Sequence, residues 1–205
     1  AHPGQGFPFG RGEGWSMDVM AAAYVLGDDD FRARKLPWFQ TVSDLVVYGQ
    51  EACSGFLQAQ VYIKILGGKY RGRQVIEESI VQNAAYGVLR SVLEGKDVAR
   101  ATALKDALVT SLQALIGPQA WDPTNSEPWS QTALGPTDYA QPGFCTTLPS
   151  DGTSGVTDSW QQWASLAYGL ELTGDPAFLA KAEAMLGMPV FQLAVDQDLT
   201  TLGNR

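Results

Sequence analysis

Apolar positions recur along this chain at three- and four-residue steps, and that rhythm predicts helices almost throughout. From Gln74 to Leu93, Ile76, Ile80, Ala84, Val88 and Val92 form one ridge, with Val81, Ala85, Leu89 and Leu93 beside it, as in a helix with a wide buried face. Earlier, Trp15, Val19, Ala22, Ala23 and Leu26 form the apolar stripe of a helix that stops at Gly27. A second helix is predicted from about Phe31 to Gly49, with Pro37 tolerated only in its first turns or at a kink. Residues 55–66 read as a third. After Gly95-Lys96-Asp97, a fifth helix sets Val98, Ala101, Leu104, Leu108, Leu112 and Leu115 on one face and ends at Gly117-Pro118. Residues 158–172 and 176–186 supply a sixth and a seventh. Period-two alternation persists for no more than a few residues, Val190 to Val195 excepted, so the predicted class is all-α.

Residues 117–157 break the rhythm. They are rich in Pro, Gly, Ser and Thr, and a structureless segment of that length inside a compact domain is usually functional or disordered. Trp121, Trp129, Tyr139 and Phe144 argue for an ordered loop, because disordered segments are poor in aromatics. The expected organisation is therefore one domain over 1–205, carrying one long ordered loop.

Within the helical pattern one phrase occurs twice. Gly27-Asp28-Asp29-Asp30-Phe31-Arg32-Ala33-Arg34 and Gly174-Asp175-Pro176-Ala177-Phe178-Leu179-Ala180-Lys181 share G-D-x-x-F-x-A-[RK]. Each follows a segment opened by an acid two residues before a tryptophan, Glu13-Gly14-Trp15 and Asp158-Ser159-Trp160. A glycine cap followed at once by a new helix start is how antiparallel helix pairs are joined, so the phrase marks a hairpin turn used twice. The spacing suits three intervening hairpins of about fifty residues each. Gly95 and Arg100 repeat the turn more loosely, as do Gly68 and Arg73.

Charge and composition narrow the partners. With 45% apolar and 18% charged residues the chain builds an ordinary folded core, and a net charge of −8 repels nucleic acid and anionic membranes. The densest basic stretch, Lys64 to Arg73, reads as a solvated helix–helix turn. No apolar run reaches the length of a membrane span. The start at Ala1-His2-Pro3 fits a removed signal peptide or an excised fragment, and a secreted or periplasmic location is favoured over a cytoplasmic one. Cys53 and Cys145 either pair, if the protein is exported, or are buried thiols.

The phrase Leu172 to Ala182, preceded by Asp158-Ser159-Trp160-Gln161-Gln162-Trp163, resembles the hairpin repeat of the α/α-toroid proteins, the six-hairpin glycosidases and related polysaccharide lyases. Arg11-Gly12-Glu13-Gly14-Trp15 is similar to the loop entering an inner helix in those families. The resemblance implies antiparallel hairpins in an α/α-toroid-like array. A full ring of six hairpins takes roughly 300 residues, so it also implies a partial toroid: a reduced array, or part of a longer chain.

By the same resemblance, chemistry belongs on the rim where inner helices begin. Helix N-termini direct several side chains and N–H groups into one funnel there. Glycoside hydrolysis needs two carboxyl groups, and Glu13 and Asp158 are the candidate pair. Arg11, Trp15, Trp160, Trp163, Trp129 and Tyr139 are the candidate saccharide contacts. Each has a plainer role: Asp158 as a helix cap, Glu13 in a salt bridge with Arg11 or at its helix terminus, Trp15 and Trp160 in hairpin packing. No metal or cofactor is expected. Asp28-Asp29-Asp30 lacks the spacing of a metal-diphosphate motif, Asp122 to Glu127 lacks that of a calcium loop, and His2 is the only histidine. The first expectation is a glycoside hydrolase-like domain acting on or binding a saccharide. A non-catalytic α/α scaffold that binds glycans or proteins, or assembles with copies of itself, is the second, and a polysaccharide lyase the third.

Overall fold

The structure, a computed structural model, describes residues 4, 6–51, 55–58, 70–117, 131–136 and 160–186. Six α-helices carry the described residues: α1 (Arg11–Leu26), α2 (Asp29–Gly49), α3 (Val75–Val88), α4 (Val98–Ile116), α5 (Trp160–Thr173) and α6 (Ala177–Leu186). A π-helical turn, Leu89–Leu93, prolongs α3. The fold class is all-α, with one addition. Strands β1 (Tyr70–Gln74) and β2 (Gln131–Pro136) form an antiparallel ribbon that leads into α3.

The helices fall into three hairpins. Asp28, Asp97 and Asp175 follow closely on Gly27, Gly95 and Gly174, and each carboxylate accepts a backbone N–H of the helix it opens, from Phe31, Arg100 and Ala177 respectively. Such caps are each worth about 1 kcal/mol. Gly95 and Gly174 take positive φ of 74° and 72°, which lets the chain reverse without a Cβ penalty. The repeated aspartates are therefore turn residues. Among the described residues the Gly95–Asp97 turn lies between the two copies of the repeat, and the rest of the interval in which the spacing suited three hairpins lies largely outside them.

Side-chain pairs fix the helix directions. Arg11 meets Glu77, and Gly14 lies against Ile80, so α1 and α3 run parallel. Ser165 bonds Asn83 and Glu171 bonds Tyr86, so α5 runs parallel to both on the other flank of α3. The second layer behaves alike: Gln40 bonds Asp97 and Arg100 bonds Asp44, which sets α2 parallel to α4. Gly6 donates to the carbonyl of Gly49, which brings the start of α1 beside the end of α2. The odd helices thus make one layer, the even helices another.

The inner layer is bent. On α3 the residues against α1 (Glu77, Ile80, Gly87) and those against α5 (Ser79, Asn83, Tyr86, Arg90) centre roughly 100° apart on a helix of 3.6 residues per turn. That angle is close to the interior angle of a five- or six-membered ring. Half-buried Asn83 and Gly87 lie where the two sets come nearest each other, and the remaining circumference is core. Val81, Ala84, Ala85, Leu89, Val92 and Leu93 are fully or almost fully buried, each large aliphatic contributing about 1.5–3 kcal/mol.

Three sequence expectations differ from this fold. Residues 55–58, predicted to start a helix, form a tight turn and a short bridge to Phe7, because Gly55 has φ +77° and its missing Cβ would meet Thr110 Cγ2 at 2.8 Å. Residues 70–73, read as part of a basic turn, and Gln74, read as a helix start, form β1. On α1 the buried face is Gly14, Met17, Ala21 and Tyr24, leaving Trp15, Val19 and Leu26 51%, 66% and 87% exposed. The 117–157 loop lies outside the described residues except for β2 and Gly117, and Cys53, Cys145 and His2 also lie outside them. Among the described residues no helix is long and apolar enough to cross a membrane.

Candidate functional site

Because α1, α3 and α5 run parallel, their first turns gather at one end of the molecule. Among the described residues, most of the buried polar side chains collect there. Glu77 and Glu78, in the first turn of α3, are 4% and 0% exposed. Buried carboxylates are strongly disfavoured unless paired and hydrogen-bonded, and the partial positive charge of a helix N-terminus helps to hold them.

Glu78 is saturated by the protein itself. Its Oε1 accepts the Leu57 N–H at 2.8 Å and the Ser111 hydroxyl at 2.5 Å, and its Oε2 accepts the Gln58 N–H at 2.9 Å. The 55–58 turn places those two amides: the Glu51 N–H donates to the Phe56 carbonyl and the Gly55 N–H to the Glu51 carbonyl, both at 2.8 Å. Ser111 Oγ also accepts from Gln82 Nε2 at 2.8 Å. Glu78 therefore ties α3, α4 and the 55–58 turn into one unit.

Glu77 sits one residue nearer the helix start and faces outward to Arg11. Arg11 Nε lies 3.2 Å from Glu77 Oε1, and Gln58 Nε2 donates to Glu77 Oε2 at 3.1 Å. The Arg11 side chain is 44% exposed and that of Glu77 5%, so the pair links solvent to the buried cluster. Chemically this is a carboxylate held in a fixed orientation beside an accessible guanidinium, which suits recognition of a polar ligand or a proton-transfer role.

Of the expected site residues, Arg11 belongs to this cluster. Glu13 is on the same helix turn, but its Oε2 accepts the Gly10 N–H at 2.9 Å, so it closes the start of α1 and does not pair with Arg11. Trp15 is exposed near the same end. Trp163 is half-buried and packs on the core, close to the fully buried Gln162. Asp158, Trp129 and Tyr139 lie outside the described residues, as does the side chain of Trp160. Sequence reasoning missed Glu77, Glu78, Gln58 and Ser111. The usable signal was two acids in the first turn of the helix with the widest apolar face, where acids are buried with partners.

A second polar group staples α3 to α5 at their far ends. The Tyr86 and Tyr168 rings stack at 3.7 Å with an interplanar angle of 5°. Tyr86 Oη donates to Glu171 at 2.5 Å, and Arg90 pairs with both Glu171 and Glu94. Burial and the bond to Glu171 push the Tyr86 phenol up, while the Tyr86 hydroxyl and then Arg90 hold the Glu171 carboxyl below its ordinary value. Burial raises the Tyr168 phenol, reinforced by the charge of Asp18.

Among the described residues no group of three or more His, Cys, Asp or Glu is placed to hold a metal ion. No protein-family model, no curated protein and no solved structure matches the chain.

Proposed function

We propose that the chain is a half-ring of α/α hairpins and that it binds a saccharide at the end where α1, α3 and α5 begin, as a glycoside hydrolase-like domain. The observation that carries this reading is the Arg11–Glu77 pair, an oriented carboxylate and an accessible guanidinium at the meeting of three helix starts. Arg11 and Glu77 contact the sugar hydroxyls in this reading, and exposed Trp15 offers a sugar face a platform. Glu77 joins Glu13 and Asp158 as a candidate acid or base, since hydrolysis needs two carboxyl groups across the bond. The bend of the inner layer and the resemblance of the repeat both favour the ring over a flat stack.

The test is titration of the protein against neutral and acidic oligosaccharides, with release of reducing ends followed in parallel. Binding is expected to fall at least about tenfold in Arg11→Met, the size of one lost charge-assisted bond, with an unchanged circular dichroism spectrum and a lowered melting temperature, because buried Glu77 loses its charge partner. Glu77→Gln, Glu13→Gln and Asp158→Asn should each abolish turnover if their carboxyls act in it. Indifference of every oligosaccharide to the wild type would end the saccharide reading.

One observation favours the second reading, a scaffold that assembles. Trp15, Val19 and Leu26 form an exposed apolar stripe on α1, and apolar stripes of that kind mark surfaces that meet a partner.

A further inference from the structure

We infer that Gln58 determines which ligand the Arg11–Glu77 pair accepts: its side-chain carbonyl takes a hydrogen bond from a donor of the bound saccharide, a ring hydroxyl or the ammonium of an amino sugar. The inference rests on the saccharide reading and deepens it.

The orientation of the Gln58 amide is the first observation. Nε2 donates to Glu77 Oε2 at 3.1 Å, and the reversed amide would set two acceptors face to face, so it can stand in only one way. The main chain is pinned as well, since the Gln58 N–H donates to Glu78 Oε2 at 2.9 Å and the residue bridges to Phe7. Each of the two buried glutamates therefore holds one part of Gln58.

The second observation is the atom left over. Gln58 is fully buried, and its Oε1 accepts no hydrogen bond from any described residue. A buried acceptor in that state lowers stability, and a donor brought by a ligand removes the cost. The 3.1 Å bond and the roughly 2.3 Å between the nitrogen and oxygen of an amide place Oε1 within about 5.5 Å of Glu77 Oε2. Arg11 Nε meets the same carboxylate through its other oxygen. The unmet carbonyl thus borders the pair at the meeting of the three helix starts.

These neighbours define the ligand group. Glu77 presents carboxylate oxygens and Gln58 a carbonyl oxygen, so a group that meets both must donate twice. Hydroxyls on adjacent ring carbons do so, and so does an ammonium; a carboxylate or sulfate does not. Access runs past Arg11, the exposed member of the cluster, whose side chain can turn aside without any change in the core.

Gln82 provides the control. It is also fully buried with an Oε1 that no described residue meets, but its Nε2 bonds Ser111 of α4, away from Arg11.

The test is calorimetric titration with three β-linked hexamers: cellohexaose, its amino counterpart from chitosan, and hexaglucuronate. Deoxy analogues of the one that binds, lacking each hydroxyl or amine in turn, follow. The wild type is expected to bind the neutral or the amino hexamer and to lose at least about fivefold when the group that meets Gln58 is removed. Whether that group is a hydroxyl or the amine names the donor. Gln58→Met should bind parent and analogue alike, whereas Gln82→Met should keep the wild-type profile. A Gln58→Met variant with the wild-type profile overturns the inference and leaves the saccharide reading standing; an enclosed water on Oε1 would give that result. The same loss of discrimination in Gln82→Met, or binding of hexaglucuronate alone, also overturns it. If no oligosaccharide binds, reading and inference fall together. Should Gln58→Met not fold, the carbon-13 resonance of the Gln58 side-chain carbonyl in the wild type decides: it should shift with the parent hexamer and not with the deoxy analogue, and no shift with either overturns the inference.

Discussion

Glu78 shows how a single residue fixes a site it does not expose. Its carboxylate takes two consecutive backbone N–H groups and a serine hydroxyl, all from segments far away in sequence. Glu78→Gln keeps the shape but turns an NH2 toward one of those donors. Loss of a charged bond and an unmet buried N–H together predict destabilisation of roughly 2–3 kcal/mol in urea unfolding. A change below about 0.5 kcal/mol, the level of an ordinary surface substitution, would mean that the carboxylate does not hold the turn. Sequence reading did not find this residue for a physical reason. An acid in the first turn of a helix looks like a dipole-complementing surface group, and only the 55–58 turn, folded back over it, makes it buried. Arg11 and Glu13 could be seen because they sit at a helix start recognisable from its own sequence, whereas the partner of each is set by tertiary contact: Glu77 for one, the Gly10 amide for the other.

Elements were legible where their faces were unambiguous. α3 with its π-helical turn has a wide apolar face, and its extent and buried ridge follow from periodicity. α1 is the opposite case, since Trp15-Val19-Leu26 and Met17-Ala21-Tyr24 both satisfy helical spacing. The smaller set is buried because Gly14 and Ala21 allow close approach to α3, so the larger residues were left outside. β1 was hidden because Arg71-Gly72-Arg73-Gln74 carries no alternation of apolar residues. α2 continues through Pro37 in its third turn, beyond the first turns in which the sequence tolerated it without a kink. Proline there removes one backbone bond, and the position is exposed, so no packing depends on the ring. Pro37→Ala is expected to raise stability by roughly 1–3 kcal/mol, given the propensity difference of about 3 kcal/mol less what the unfolded chain regains in freedom. An unchanged or lower urea midpoint would show that the proline serves the geometry of α2.

For the whole molecule, the arrangement of layers sets the order in which it opens. α3 touches α1, α5, α4 and the end of β1, so it is fully exposed only when several of these partners leave together. α6 is held through α5 and a few contacts to α4, among them the bond from Lys181 to the Leu115 carbonyl, and Phe178 and Met185 are its fully buried side chains. Phe178 presses on Gly169 closely enough that no side chain fits there, so the α5–α6 hairpin is a tight but local unit. Local units of this kind open at free energies below that of the whole protein, while a centrally packed helix exchanges its amides only on global unfolding. Native-state hydrogen exchange should therefore show Val81 to Leu93 as the slowest amides, with protection equal to the global stability measured in urea. Those of Ala180 to Leu186 should exchange through a smaller opening, less sensitive to denaturant. If α6 matched α3 in both rate and denaturant dependence, the two layers would form one cooperative unit and the central position of α3 would have no energetic consequence.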